Sequence, residues 1–257
     1  MSMLRKWVEN EELRPLSGSV LKWIAVITMF IDHLGASLIE VFILDPSGAS
    51  SSAVPVFDYG FWTAADGILR AVGRTAFPLF AFLLAQGAVH TRDARKYLAR
   101  LILFAFISEI TFDLATADRL FFIGHQNVFF TLALGLAAVI VLQRSAGCEW
   151  KAFIALLISM TAAELLSTDY GAVGVAVIFV LYYFRDRRFL SCVLSFALLV
   201  LGSLSSLYTI PAFILIELYN GKRGGRLKYF FYWFYPVHLT ALWTVGSLVS
   251  RGAMMVS

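Results

Sequence analysis

Charge is scarce in this chain. Of 257 residues only 15% are Asp, Glu, Lys or Arg, against 60% hydrophobic ones. That leaves too little polar surface to coat a water-soluble body, which excludes an ordinary soluble domain. Cysteine is nearly missing: Cys148 and Cys192 cannot build a disulfide framework, and both fall beside loops that the charge pattern puts in the cytoplasm, where thiols stay reduced. Only four histidines are present. His90 and His125 lie near the ends of apolar runs, leaving His33 and His238 inside, so no metal site is expected. There is no phosphate-binding P-loop, no dinucleotide-binding glycine pattern, no HExxH and no nucleophile elbow. Internal repeats and low-complexity tracts are absent too, and no small-residue cleavage site follows the charged N-terminal segment, so the first apolar run is expected to stay.

What is there is a series of apolar runs, at about 20–42, 66–90, 97–116, 127–143, 152–166, 170–184, 189–203, 207–219 and 229–250. Most approach the roughly 20 residues of a membrane-spanning helix. The expected fold is an all-α, polytopic membrane bundle of nine helices, within a range of eight to ten, forming a single domain over 1–257 with residues 1–19 as a cytoplasmic N-terminal segment. Basic residues test the count, because they collect in cytoplasmic loops. Arg5, Lys6, Arg14 and Lys22 open the chain; Arg92, Arg95, Lys96 and Arg100 follow the second run; Arg144 and Lys151, then Arg185, Arg187 and Arg188, then Lys222, Arg223, Arg226 and Lys228 mark later loops on the same side. Only Arg119 and Arg251 fall on the other. Nine helices with a cytoplasmic N-terminus satisfy every loop, and the net charge of +4 is thereby explained without nucleic acid. The longest outer loop, Asp45 to Asp58, is rich in Ser, Gly and Pro and reads as a plain connector. Ser167 to Gly171 reads as a tight outer turn.

Against this apolar background the ionisable residues inside the runs stand out: Asp32, His33, Arg70, Arg74, Glu109, Asp113 and His238. Each charge in hydrocarbon costs roughly 2.5–3.5 kcal/mol even on the lenient insertion scale, so such residues must be partnered and are expected to be in use. Asp32 and His33 stand about twelve residues up the first run, roughly 18 Å at 1.5 Å per residue. His238 lies at similar depth, Arg74 and the pair Glu109–Asp113 fall in the outer half, and Asn127 and Asp169 sit at the rim. Equal depth is necessary for contact and does not establish it. The chemistry such a set performs is acid–base work, with His33 as base and His238 as a second proton carrier or binding residue. Arg74 has five donors for a phosphate, carboxylate or oxyanion, and its plainer role is an ion pair with Glu109 or Asp113. The plainer role of Asp32 is to balance Arg70 or Arg74. Pro78, four residues after Arg74, disturbs the helix there, and Pro236 is expected to break the last helix just before His238. Glu164 and Glu217, near helix ends, carry no expected role.

Six segments in order resemble signature stretches of the TraX family of bacterial inner-membrane proteins. They are Leu21-Lys22 leading to Ile31-Asp32-His33-Leu34-Gly35, Gly73-Arg74-Thr75-Ala76-Phe77-Pro78-Leu79-Phe80-Ala81-Phe82, Ser108-Glu109-Ile110-Thr111-Phe112-Asp113-Leu114, Gln126-Asn127-Val128-Phe129-Phe130-Thr131-Leu132, Asp169-Tyr170-Gly171 and Tyr235-Pro236-Val237-His238-Leu239. Thr111 departs from the proline of many relatives. The founding member acetylates the N-terminal amine of a conjugative pilin, and the family resembles a broader superfamily of transmembrane acyltransferases. The resemblance implies an acyltransferase of the bacterial inner membrane that takes acetyl from cytoplasmic acetyl-CoA and delivers it to an amine or hydroxyl of an acceptor: a pilin, a glycan or a lipid. By the same resemblance His33 is the base or transient acyl carrier, Asp32 its orienter and Arg74 a contact to the donor or the oxyanion; Glu109, Asp113 and His238 are expected as further catalytic residues from their place in the buried polar set. Lys22, Arg70 and Arg74 are expected at the donor, and Asn127, Asp169 and Tyr235 at the acceptor. The competing class is a proton-coupled transporter or flippase with the Asp-His pair and the carboxylates as its relay.

Overall fold

The structure is a computed structural model that describes residues 14–44, 59–145, 148–225 and 228–254, with the side chains of the last helix given for 229–250. The N-terminal segment 1–13 and the loop 45–58 lie outside the described residues.

Among the described residues the fold is all-α. Helix α1, Gly18–His33, is capped by Ser17, whose hydroxyl accepts from the Val20 N–H, and it continues as a π-helix over Leu34–Leu44. Then come α2 Tyr59–Gly73, α3 Ala76–His90, α4 Ala94–Ala117, α5 Val128–Arg144, α6 Glu149–Leu165, α7 Gly171–Tyr183, α8 Arg188–Gly202, a 3-10 turn Leu204–Thr209 running into α9 Ile210–Glu217, and α10 Lys228–Met254. Taking α1 with its π extension, α2 with α3, and the 3-10 turn with α9, these are nine helical stretches at the nine apolar runs. Two of them, Gly18–Leu44 and Tyr59–His90, are long and apolar enough to cross a membrane; four shorter ones are also apolar.

Three details differ from the sequence expectation. The second stretch begins at Tyr59 rather than 66, because Gly60, Thr63 and Asp66 dilute its hydropathy without breaking the helix. It is interrupted at Arg74 and Thr75, one turn ahead of Pro78, whose ring has no N–H to give the Arg74 carbonyl. Pro236, in contrast, lies inside a continuous α10. Only the Tyr232 carbonyl loses its helical donor there, and the expected break does not occur.

Successive stretches run antiparallel, so the basic loops gather at one end. There Leu16 pairs with Tyr219, the Gly18 N–H donates to the Lys222 carbonyl (2.8 Å), Arg188 Nη1 donates to the Tyr219 carbonyl (2.8 Å), and Gln143 joins Ala88 to Tyr182. At the opposite end Gln126 pairs with Thr168, and the Trp243 indole donates to Asp118 Oδ1 (2.8 Å). The core is built on α3, α5 and α7, where Leu79, Leu136, Val177 and Ile178 are wholly buried. The outer faces are apolar instead of charged: Phe106, Phe153, Phe189, Val237 and Leu248 all project outward.

Candidate functional site

Helices α1 and α10, the first and last, run parallel. Trp23 packs on Phe230 and Phe231, and Phe30 on Phe234, and this aromatic register brings His33 level with His238. Both imidazoles are buried. His33 Nδ1 lies 2.8 Å from His238 Nε2, and His238 Nδ1 lies 2.7 Å from the Phe234 carbonyl. A carbonyl only accepts, so Nδ1 of His238 carries its proton and, in the neutral ring, Nε2 is bare. His33 must then donate through Nδ1. The chain of bonds leaves Nε2 of His33 with a free lone pair, the arrangement a general base or nucleophile requires. Phe234 stacks on His238 at 4.8 Å, and Tyr235 stands edge-on to both imidazoles, at 5.5 and 5.6 Å between ring centroids.

Asp32, one residue away and so turned about 100° around the helix, does not orient His33. It accepts from Arg70 Nη1 (2.6 Å), while Arg70 Nε faces Glu40 Oε1 at 3.2 Å. The π-helix explains how two carboxylates eight residues apart reach one guanidinium: winding wider than the α-helix brings positions near 32, 36 and 40 toward one face. Gly73 is needed for the approach of α2, because a Cβ there would lie 2.1 Å from Asp32 Oδ1. Arg74 sits in the break between α2 and α3 and hydrogen-bonds Tyr170, with Asp32 and Asp169 in electrostatic reach. It pairs with neither Glu109 nor Asp113. Tyr170 holds a left-handed φ of 65° and stacks on Phe77 with centroids 3.8 Å apart.

Glu109 and Asp113 share a face of α4 and turn toward the loop that follows it. Asp113 Oδ2 accepts from the Phe122 N–H (2.8 Å). Glu109 Oε2 accepts from both the backbone and side-chain amides of Asn127. Asn127 is fully buried; its Nδ2 also donates to the Ala105 carbonyl (2.8 Å), and its Oδ1 caps α5 through the Phe129 N–H (3.0 Å). With both amide atoms engaged, it ties α4 to α5. The backbone of Asp169 is likewise used, its N–H by Gln126 and its carbonyl by Thr131. Its carboxylate faces His125 at 3.8 Å and holds that loop imidazole above its usual pKa. The second oxygens of Glu109 and Asp113 are buried and have no hydrogen-bond partner among the described residues.

Lys22 stands apart from this group. It lies eleven residues before His33, about 16 Å down α1, over the Phe231 ring and beside Arg223 at the basic end. The structure therefore brings together His33 and His238 with Tyr235; Asp32 with Arg70; and Arg74 with Asp169 through Tyr170. Tyr170 and His125 were missed from the sequence, although both adjoin singled-out residues, in Asp169-Tyr170-Gly171 and His125-Gln126-Asn127. Glu164, expected to be idle, caps α7 by accepting from the Ala172 N–H (2.7 Å).

A family model described as "TraX protein" matches residues 17–246. The chain is similar to the "Probable fimbrial assembly protein FimC, serogroup H1" of Dichelobacter nodosus, with 34% identity covering 88% of this chain and 94% of that protein. No solved structure matches.

Proposed function

The chain belongs to the TraX protein family, and from that premise we propose that it is a membrane-embedded acyltransferase moving acetyl from acetyl-CoA to an amine or hydroxyl acceptor. The observation that carries this is the Phe234–His238–His33 hydrogen-bond chain, which supplies an unprotonated Nε2 deep in the bundle. As the acceptor nitrogen or oxygen attacks the thioester carbonyl, His33 Nε2 takes its proton. The new C–N or C–O bond forms, the C–S bond breaks, and the proton passes from His33 to the departing thiolate. The transient imidazolium keeps its Nδ1–H on His238, which spreads the charge. Arg70, in electrostatic reach of His33, and Arg74, in reach of Asp32, serve in this reading the carbonyl oxygen as it becomes negative. Asp32 and Tyr170 hold those two guanidiniums in place.

The donor enters from the basic end in this reading. Lys22 and Arg223 meet its phosphates, and the stretch of about 16 Å up α1 to His33 is the reach of a pantetheine arm. Apolar outward faces on α4, α6, α8 and α10 support embedding in lipid, with the basic end cytoplasmic in the bacterial inner membrane. The relative's name refers to fimbrial assembly, which favours a fimbrial or pilin subunit as acceptor over a glycan or lipid. The test is radiolabelled acetyl-CoA given to protein in nanodiscs with membrane extract. Wild type should release CoA and label an acceptor, and His33→Ala, folded, should do neither. Neither protein turning over acetyl-CoA would sink the proposal.

A proton-coupled transporter is favoured by one observation, the unpartnered buried oxygens of Glu109 and Asp113, which suit a proton relay. In that case a substrate gradient would drive proton flux and acetyl-CoA would be untouched.

A further inference from the structure

Helices α4 and α5 line an open groove of about 410 Å³ between them. On α4 it is lined by Arg95, Leu98, Ala99 and Ile102, on α5 by Ala137, Ile140, Val141 and Arg144. The three- and four-residue spacing puts each set on one face of its helix, along about 10 Å of axis. Because the helices are antiparallel, Arg95 in the first turn of α4 and Arg144 at the last residue of α5 come to the same, basic end. Their neighbours are occupied: Lys96 faces Asp93 at 3.5 Å, and Arg100 lies over the Tyr97 ring. Neither Arg95 nor Arg144 has an ion pair or side-chain hydrogen bond among the described residues.

We infer that this groove binds one anionic phospholipid, with the phosphate held by Arg95 and Arg144 and an acyl chain lying along Leu98, Ile102, Ile140 and Val141. Planar guanidinium forks match phosphate oxygens. A basic pocket between spanning helices at the cytoplasmic side suits an anionic headgroup. The apolar stripe below the two arginines points to a phosphate that carries an acyl chain, which a water-soluble phosphate lacks. The site rests on the membrane reading and is independent of acyl transfer. Its occupant would bridge α4 and α5 at one end, as the Glu109–Asn127 bond joins them toward the other.

The test is native mass spectrometry of the full chain released from mixed micelles of phosphatidylglycerol and phosphatidylcholine with matched chains. Wild type should retain phosphatidylglycerol, and Arg95→Gln/Arg144→Gln should weaken that retention roughly 100-fold, the loss of two charge-assisted hydrogen bonds to one phosphate. Arg92→Gln/Lys96→Gln removes the same charge from the same end and should leave retention unchanged. Ile102→Trp, which fills the groove and spares both arginines, should weaken it. Equal losses in the two double variants, or full displacement by glycerophosphate, would overturn the site. Recovery of the protein from cells in the aqueous fraction would overturn the membrane reading with it, whereas insertion without lipid preference would overturn the site alone.

Discussion

Truncating His238 to alanine removes the acceptor that fixes the proton of His33 on Nδ1. We expect acyl transfer to fall roughly 100-fold with the KM for acetyl-CoA unchanged, and His238→Gln, which can still accept from Nδ1, to recover part of the rate. A uniform loss in both variants, following loss of folded protein, would reduce His238 to packing. At this scale the sequence went part of the way. Helical rise placed His33 and His238 at one depth, and they do meet. Rise says nothing of direction around the axis, so Asp32 was assigned to His33 although its neighbour's rotation sends it to Arg70. Asn127 carries a helix-start signal, a short polar side chain just before the run at Val128; its place at the rim of the buried polar set concealed that signal. His125 and Tyr170 act through contacts made only after distant loops pair at Gln126 and Thr168.

Between elements, the closest approach of α2 to α1 turns on Gly73. A methyl group there would collide with Asp32, and the backbone beside it is already committed to the break at Arg74. Gly73→Ala should therefore lower stability by about 1–3 kcal/mol, read as a lower melting temperature in detergent, and should weaken transfer by displacing Asp32 from Arg70. A variant as stable and active as wild type would show that α2 can shift without consequence. Two prolines of similar sequence context ended differently. Pro78 lies in the first turn of α3, where the missing N–H falls at a helix start that the break supplies. Pro236 lies mid-helix, where packing on α1, α4 and the π-helix holds α10 continuous. No local sequence signal separates those cases, and none announced the π-helix, in which Gly35 lies close against Asp66 and Arg70 of α2 and Glu40 faces Arg70.

For the whole molecule, the distribution of basic residues predicts an alternation of helices across the membrane, because it depends on the order of the chain and not on its packing. The embedding it implies can be checked with thiols. Cys148 is half-buried at the basic end, and Ile123 is almost fully exposed in the loop at the other. In spheroplasts a membrane-impermeant maleimide should label an Ile123→Cys, Cys148→Ser protein directly, and should reach Cys148 of the parent only after permeabilisation. The reverse pattern would invert the orientation.

The two imidazoles that form the proposed base are 205 residues apart. At 5–20 residues per second, roughly 10–40 s of translation separate them. His33 is made in the first helix and stays without its acceptor until the last helix leaves the ribosome and packs alongside it. Until α10 docks, the imidazole of His33 has no partner at Nδ1 to fix its tautomer. In the proposed acyltransferase, the order of synthesis therefore leaves the completion of the base to the last docking step.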